Sequence, residues 1–306
     1  MEEHPPISIL LPTTRWNSVC EELSAQLRDK DELLIICDSK SDPIAGQISS
    51  LPEQVEILFA GSPKSCSGKA NAIATGMEEA SHQRLVWTDD DFHHPPDWLS
   101  QLHRDYEQNG PVTEIPFFIG KDPLAMLLEP VYAFGGTLGV YIGDIVWGGA
   151  VMFDRIEIDE QAFLDDLQRT ISDDGVLTEY LDVTPLRRVR TVPIGGSFRQ
   201  TLERHTRFSQ IVHYQDPTAF AVLCLTAVIT LIGCLLFPVP ALILLTLLYT
   251  AIYLFFGVKR WTAILAYPSV LIQLPLLLYG ISRTSFVWAG RRYEWRSKFD
   301  VDVYEE

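Results

Sequence analysis

Cysteine is scarce in this sequence. The five residues, Cys20, Cys37, Cys66, Cys224 and Cys234, form no C-x-x-C pair, which argues against both a disulfide framework and a cysteine zinc site. The opening Met1-Glu2-Glu3-His4-Pro5-Pro6 lacks the basic and apolar regions of a secretory leader, so the following domain is expected to be cytoplasmic. Positive charge is short as well. There are 40 acidic against 24 basic side chains. Residues 217–306 hold 5 acidic and 7 basic residues, which leaves 35 and 17 for residues 1–216. A surface so acidic argues against nucleic-acid binding through phosphates. It suits either a cation-using enzyme or a halophilic protein from a high-salt cytoplasm.

What is present alternates. Ile7–Leu11, Glu32–Cys37, Val55–Ala60, Arg84–Thr88 and Val112–Ile119 read as strands, and Trp16–Arg28, Ala70–Ala80 and Pro96–Gln108 as helices between them. Strands alternating with helices predict an α/β fold with a mainly parallel sheet, covered by helices on both faces. Further on, Pro123–Ala133 reads as a helix, Gly148–Phe153 as a strand entered through two glycines, and Val176–Leu181 as a helix just after Asp173-Asp174.

After Asp216 the composition changes. Phe220–Phe237 and Ala241–Val258 carry no charge and are separated by Pro238-Val239-Pro240, which predicts a transmembrane hairpin. A third apolar run, Thr262–Ser282, contains Pro268, Pro275 and Gln273. The positive-inside rule, applied to Lys259-Arg260 and to the tail Arg291, Arg292, Arg296 and Lys298, favours a re-entrant or interfacial course for it. The expected organisation is a cytoplasmic domain over residues 1–212, a membrane region over 213–282 and a C-terminal tail over 283–306.

The chemistry-bearing residues sit at expected strand ends. Leu85-Val86-Trp87-Thr88 stops on Asp89, Asp90 and Asp91, and three adjacent carboxylates repel one another unless a cation joins them. Asp38 follows the Glu32–Cys37 strand, and in open α/β sheets ligands bind beyond the carboxyl ends of strands. Gly61 to Lys69 invites a phosphate-loop reading, but six residues separate the glycines and Ala70 stands where a Ser or Thr would hold magnesium. Lys69 still begins a helix and is a candidate for a diphosphate. Consecutive His93 and His94 are left out of the metal set, because such an ion prefers oxygen ligands.

In chain order, Asp38, Lys69 with Asn71, Asp90, Asp174 and Arg204-x-x-Arg207-Phe208, followed by apolar spans, resemble the family-2 glycosyltransferases with their spaced aspartates and (Q/R)xxRW motif. Ser67-Gly68-Lys69-Ala70-Asn71 and Trp288-Ala289-Gly290-Arg291-Arg292-Tyr293 look like segments of the ceramide glucosyltransferases and hopanoid-type glycosyltransferases. The resemblance implies a GT-A fold, Rossmann-like and mixed but mainly parallel, followed by C-terminal transmembrane helices. It also implies a nucleotide-sugar donor, UDP favoured, and a lipid acceptor. Asp38 would contact base and ribose, Asp90 with Asp89 or Asp91 would hold Mg²⁺ or Mn²⁺ on the diphosphate, and Asp174 would be the general base. Arg204 and Arg207 would serve the diphosphate or the acceptor, while Phe208, Trp288, Arg291, Arg292 and Tyr293 would frame the acceptor side. Phe208 departs from the motif's tryptophan, Thr88 occupies the first position of the usual D-x-D, and the N-terminal span of ceramide glucosyltransferases is missing. The expected activity is inverting hexosyl transfer at the cell membrane. A polyprenyl-phosphate sugar transferase, a polysaccharide synthase and a non-catalytic nucleotide-binding scaffold are the rivals.

Overall fold

The structure, a computed structural model, describes residues 4–305; Met1–Glu3, part of the stretch read for a leader, and Glu306 lie outside it. In chain order its elements are β1 (Ile7–Pro12), α1 (Ser18–Ser24), β2 (Glu32–Cys37), β3 (Val55–Phe59), α2 (Gly68–Glu79), β4 (Arg84–Thr88), α3 (Trp98–Asn109) and β5 (Val112–Gly120). There follow α4 (Pro123–Tyr132), a π-helical turn over Ala133–Leu138, α5 (Gly139–Ile142), β6 (Ala150–Asp154), α6 (Glu160–Leu167), α7 (Asp173–Tyr180), β7 (Thr184–Ile194) and α8 (Phe198–Gln215). The chain ends with α9 (Pro217–Leu236), α10 (Pro238–Phe255), a 3₁₀ turn over Trp261–Leu265, α11 (Ala266–Ser282), β8 (Ser285–Trp288), β9 (Arg291–Ser297) and β10 (Asp300–Glu305).

Two compact units interleave along the chain. The first takes residues up to Ile115, then Asp144–Leu186 and Phe299–Val303. Its sheet has the order β3-β2-β1-β4-β6-β5-β7, with β5 and β7 running on into the second unit. The pairs β1–β2, β1–β4 and β2–β3 are parallel, whereas β6 runs antiparallel to both β4 and β5. The apolar runs Ile9–Leu11 of β1, Leu33–Cys37 of β2 and Leu85–Trp87 of β4 explain the parallel core, since such strands must be covered on both faces. Trp87 packs against Phe153 and Phe163 in a cluster that also takes in Leu34, Ile36, Ile73 and Met77. Gly76 of α2 lies so near the sheet that a Cβ there would meet Ile36 at 3.0 Å. Antiparallel β6 places Ala150 opposite Thr88, which brings the preceding glycines beside the three aspartates.

The second unit comprises Pro116–Gly143, Arg187–Lys298 and the end of the chain from Tyr304. Asp122 caps α4 by accepting from the Leu124 and Ala125 N–H groups. Its other oxygen accepts from the Gly196 N–H and from the Thr201 hydroxyl of α8, at 3.0 and 2.5 Å. Glu129, fully buried, accepts from the Gly120 N–H, the Arg260 guanidinium and the Thr262 hydroxyl. A buried carboxylate of this kind is tolerable because each oxygen has donors.

Four helical segments, Pro123–Ile142, Pro217–Leu236, Pro238–Phe255 and Trp261–Ser282, are long and apolar enough to cross a membrane. The first was expected only as a helix over Pro123–Ala133. The last corrects only the proline break expected in 262–282: α11 is one helix that runs through Pro275. Pro268 falls in its first turn, where a missing N–H costs no intrahelical bond.

Asp122 thus caps one helix and ties down the start of another. Replacing Asp122 by Ala is expected to destabilise the protein by about 2 kcal/mol, measured by denaturant unfolding in detergent, with Asp122→Asn losing less.

Candidate active site

The first unit gathers Lys69, Asp89, Asp173 and Asp174 into one cluster. Ser67 caps α2 by accepting from the Ala70 N–H at 3.0 Å, and the Ser67 N–H itself donates to the Thr170 carbonyl. That anchoring fixes Lys69 in the first turn. Its ammonium contacts Asp89 at 2.7 Å and Asp173 at 3.0 Å. Burial alone would lower the pKa of Lys69, but Asp173, Asp89 and Asp174 together hold it well above the ordinary lysine value. Asp89 moves up, because burial outweighs the attraction of Lys69.

Asp173 and Asp174 open α7, whose N-cap Ser172 accepts from the Gly175 N–H. Asp174 accepts from the Gly148 N–H at 2.9 Å. Burial first, then the neighbouring Asp173, pushes its carboxyl up to about 8, with Lys69 pulling the other way. A carboxylate with that pKa is a far better base than an ordinary aspartate near neutral pH. Gly148 is indispensable to the arrangement: a Cβ there would lie 2.5 Å from the Asp174 carboxylate and 2.8 Å from that of Asp173.

The three aspartates divide their partners. Asp90 accepts from the Thr13 hydroxyl at 2.6 Å and from the Asn17 amide at 3.2 Å, just beyond the end of β1. The Asp89 N–H donates to the Gly149 carbonyl, while Asp91 is exposed. Among the described residues no three His, Cys, Asp or Glu side chains converge as a complete metal cage. Neighbouring carboxylates without a third ligand fit Mg²⁺ or Mn²⁺ that takes its remaining ligands from phosphates. Asp38 follows β2, half-buried, and its carbonyl accepts from the Gly61 N–H at 2.9 Å. His94 bonds the Thr88 hydroxyl and His93 bonds Glu22.

The remaining predicted residues belong to the second unit. Arg204 lies over Phe118 and Phe208, and Arg207 stacks on Trp288 at 3.8 Å. Phe208 packs on Phe118 and Tyr132, so the residue in the tryptophan position is a packing platform. A cleft of about 500 Å³ is lined by Arg199, Glu203, Arg204, Arg207 and Trp288, among others. The Glu203 carboxylate accepts from the Val287 N–H. Beyond the turn at Ala289-Gly290, Arg292 is exposed, whereas Tyr293 is buried and stacked on Phe286. Arg291 pairs in register with Trp288. Tyr293 therefore supports the small sheet instead of facing an acceptor.

Sequence reasoning did not place Asp173, Gly148, Thr13, Asn17 or Arg199 in a site. In the sequence Gly148 and Gly149 show only as the entry to a strand, and Asp173 only as the neighbour of Asp174 before a helix.

The family model described as glycosyl transferase family 2 matches residues 14–133. That stretch holds Asp38, Lys69 and the three aspartates. No curated protein matches the chain. Solved structures similar to it include glucosyl-3-phosphoglycerate synthase from Mycobacterium tuberculosis with Mn²⁺, UDP and glucosyl-3-phosphoglycerate, 17% identical over 68% of this chain and 77% of that one, at a TM-score of 0.42. Mannosyl-3-phosphoglycerate synthase from Rubrobacter xylanophilus is 15% identical over 68% and 73%, also at 0.42. A mycobacterial protein is 15% identical over 68% and 74%, at 0.45.

Gly148→Ala should drive the two α7 carboxylates apart and lower kcat by about 10- to 100-fold, read as UDP release from a UDP-hexose, with the circular dichroism unchanged. Because Lys69 holds the Asp174 pKa down, Lys69→Met should move the midpoint of the rising kcat/KM–pH curve upward by roughly one unit or more. Lys69→Arg should keep the midpoint near the wild type.

Proposed function

We propose that the protein is a membrane-anchored glycosyltransferase that moves a hexosyl group from a nucleotide-diphosphate sugar, UDP favoured, to the hydroxyl of a lipid or lipid-linked acceptor. The observation that carries this reading is the setting of Asp174, a half-buried carboxylate oriented by the Gly148 N–H beside the Lys69–Asp89–Asp173 cluster, whose burial and neighbours push its pKa up to about 8. That is what removal of a hydroxyl proton near neutral pH requires. Asp174 takes the proton as the acceptor oxygen attacks the anomeric carbon. Transfer directly onto a hydroxyl, with one carboxylate as base, inverts the anomeric centre.

The other residues have separable roles. Asp38 holds the base and ribose of the donor. Asp90 with Asp89 or Asp91 would hold Mg²⁺ or Mn²⁺ on the donor diphosphate, where the ion offsets the charge that develops on the departing group. Lys69 holds Asp89 and Asp173 in place. On this reading Arg204 and Arg207 answer negative charge on the diphosphate or on the acceptor. The apolar helices of the second unit hold the enzyme at the bilayer, where its acceptor resides.

A second reading, transfer to a phosphate-bearing lipid carrier, is favoured by the cleft with Arg199, Arg204 and Arg207. Product analysis by mass spectrometry with a neutral lipid alcohol and with a polyprenyl phosphate separates the two.

Asp174→Asn is expected to cut transfer by at least about 10²-fold and to leave UDP-sugar affinity, measured calorimetrically, at the wild-type value. Full retained activity would remove Asp174 from the role of base. With wild-type enzyme, kcat/KM should climb as the pH rises toward 8 and level off above it, since the base must be ionised to act.

A further inference from the structure

Length and composition allow four segments to cross a bilayer, yet their attachments forbid two of them from doing so. Pro123–Ile142 lies between β5 and β6, whose Val112 and Thr113 pair with Met152 and Val151. Soon after Ile142, the Val146 N–H is already bonded to the Thr178 hydroxyl. Strands of one sheet cannot lie on opposite sides of a membrane, and the residues between Ile142 and Val146 are too few to recross one. This segment therefore starts and ends on the same side.

The segment Trp261–Ser282 is held at both ends too. At its start Arg260 and Thr262 bond the buried Glu129 of α4. At its end the Gln210 amide of α8 donates to the Gly280 and Arg283 carbonyls, and Gly280 approaches Ser209 so closely that a Cβ would meet it at 2.7 Å. Asp122 joins α4 to α8, and α8 carries Arg199, Glu203, Arg204 and Arg207, which keeps it out of hydrocarbon. A helix fixed at both ends to this polar frame runs along the frame.

There remain α9 and α10, a hairpin closed at Phe237. Every side chain from Leu231 to Leu245 is apolar or is Cys234. Leu235, Leu236, Phe237 and Val239 at the closed end are 67, 67, 62 and 64% exposed. A turn that emerged into water would leave these residues wet.

The backbone there is prepared for hydrocarbon, where each unpaired group costs several kcal/mol. Pro238 and Pro240 remove two of the donors that a helix start leaves unpaired. The Phe237 and Ala241 N–H groups bond the Gly233 and Phe237 carbonyls. The Tyr267 hydroxyl donates to the Cys234 carbonyl at 3.2 Å. Tyr267 stands only about 10 Å of helix beyond Thr262, which bonds Glu129. The closed end is thus tied to α11 through the Cys234 carbonyl.

We infer that the apolar region is monotopic. The α9–α10 hairpin turns inside the hydrocarbon of one leaflet of a phospholipid bilayer, Pro123–Ile142 and Trp261–Ser282 lie along the interface, and no segment reaches the far face. The inference rests on the membrane part of the proposed function and not on its chemistry.

Membrane-impermeant maleimide labelling of the full chain in sealed vesicles of both orientations, scored above the wild-type cysteine background, tests it. Lys259→Cys and Thr284→Cys should both label from the face that exposes the catalytic domain. Val239→Cys should label from neither face until detergent is added. Labelling of Val239→Cys from the opposite face would establish two spans, and labelling of Thr284→Cys from the face opposite Lys259→Cys would establish an odd number; either result overturns the inference. Recovery of the wild type in the soluble fraction after carbonate extraction would overturn it by removing the membrane reading itself. Activity on a water-dispersed acceptor would still judge the glycosyl-transfer reading independently.

Discussion

The first unit is arranged around one ammonium group. Lys69 bridges Asp89, at the end of β4, and Asp173, in the first turn of α7, and its charge also bears on Asp174. Without a cation among them, carboxylates so close together would repel one another. With it, Asp89 and Asp173 are held while Asp174 keeps a high proton affinity. The neighbouring details follow from that constraint. The antiparallel β4–β6 register brings Gly148 to the carboxylates, only a glycine fits there, and its N–H orients Asp174.

Partners sort residues that composition leaves equivalent. Asp89, Asp90 and Asp91 are identical side chains in sequence, yet Asp89 answers α2, Asp90 answers the end of β1 through Thr13 and Asn17, and Asp91 faces solvent. Asp173 and Asp174 divide likewise, one against Lys69 and the other on a backbone N–H. On the proposed reading, such a cleft holds some carboxylates fixed and leaves others for a cation and its phosphates, so that positive charge at a departing diphosphate does not also neutralise the base.

The sequence carried the elements whose pattern is local. β2 and β4 lie where their uninterrupted apolar runs end, at Asp38 and Asp89, and α2 starts two residues before the expected Ala70 because Ser67 caps it. What could not be read was pairing at a distance. Nothing local ties Lys69 to Asp173 or Asp90 to Thr13, since each pair depends on which strands lie adjacent in the sheet. The two glycines before β6 show in the sequence only as the entry to a strand, and the carboxylates packed over Gly148 make close approach the reason for the first. The third apolar run looked broken because proline was judged without its position in the helix. Tyr293 looked available because alternation along β9 was not visible until its partner strand was known.

On the membrane reading proposed above, charge and apolar surface pull this protein in opposite directions. Residues 1–216 carry an excess of 18 negative charges, and an anionic leaflet repels such a domain at short range. The basic residues at hand, Arg199, Arg204 and Arg207 in α8 and Arg291, Arg292, Arg296 and Lys298 toward the C-terminus, contribute at most about 1 kcal/mol each near a charged surface. Several of them are also engaged with aromatic rings within the second unit. Attraction to the bilayer must therefore come mainly from buried hydrocarbon, at about 0.8 kcal/mol per methylene group. The exposed leucines, isoleucines and phenylalanines of α9 and α10 supply many such groups. Because that term is nearly independent of salt while the repulsion is screened by it, association should strengthen as ionic strength rises. This behaviour is the reverse of what a basic peripheral enzyme shows.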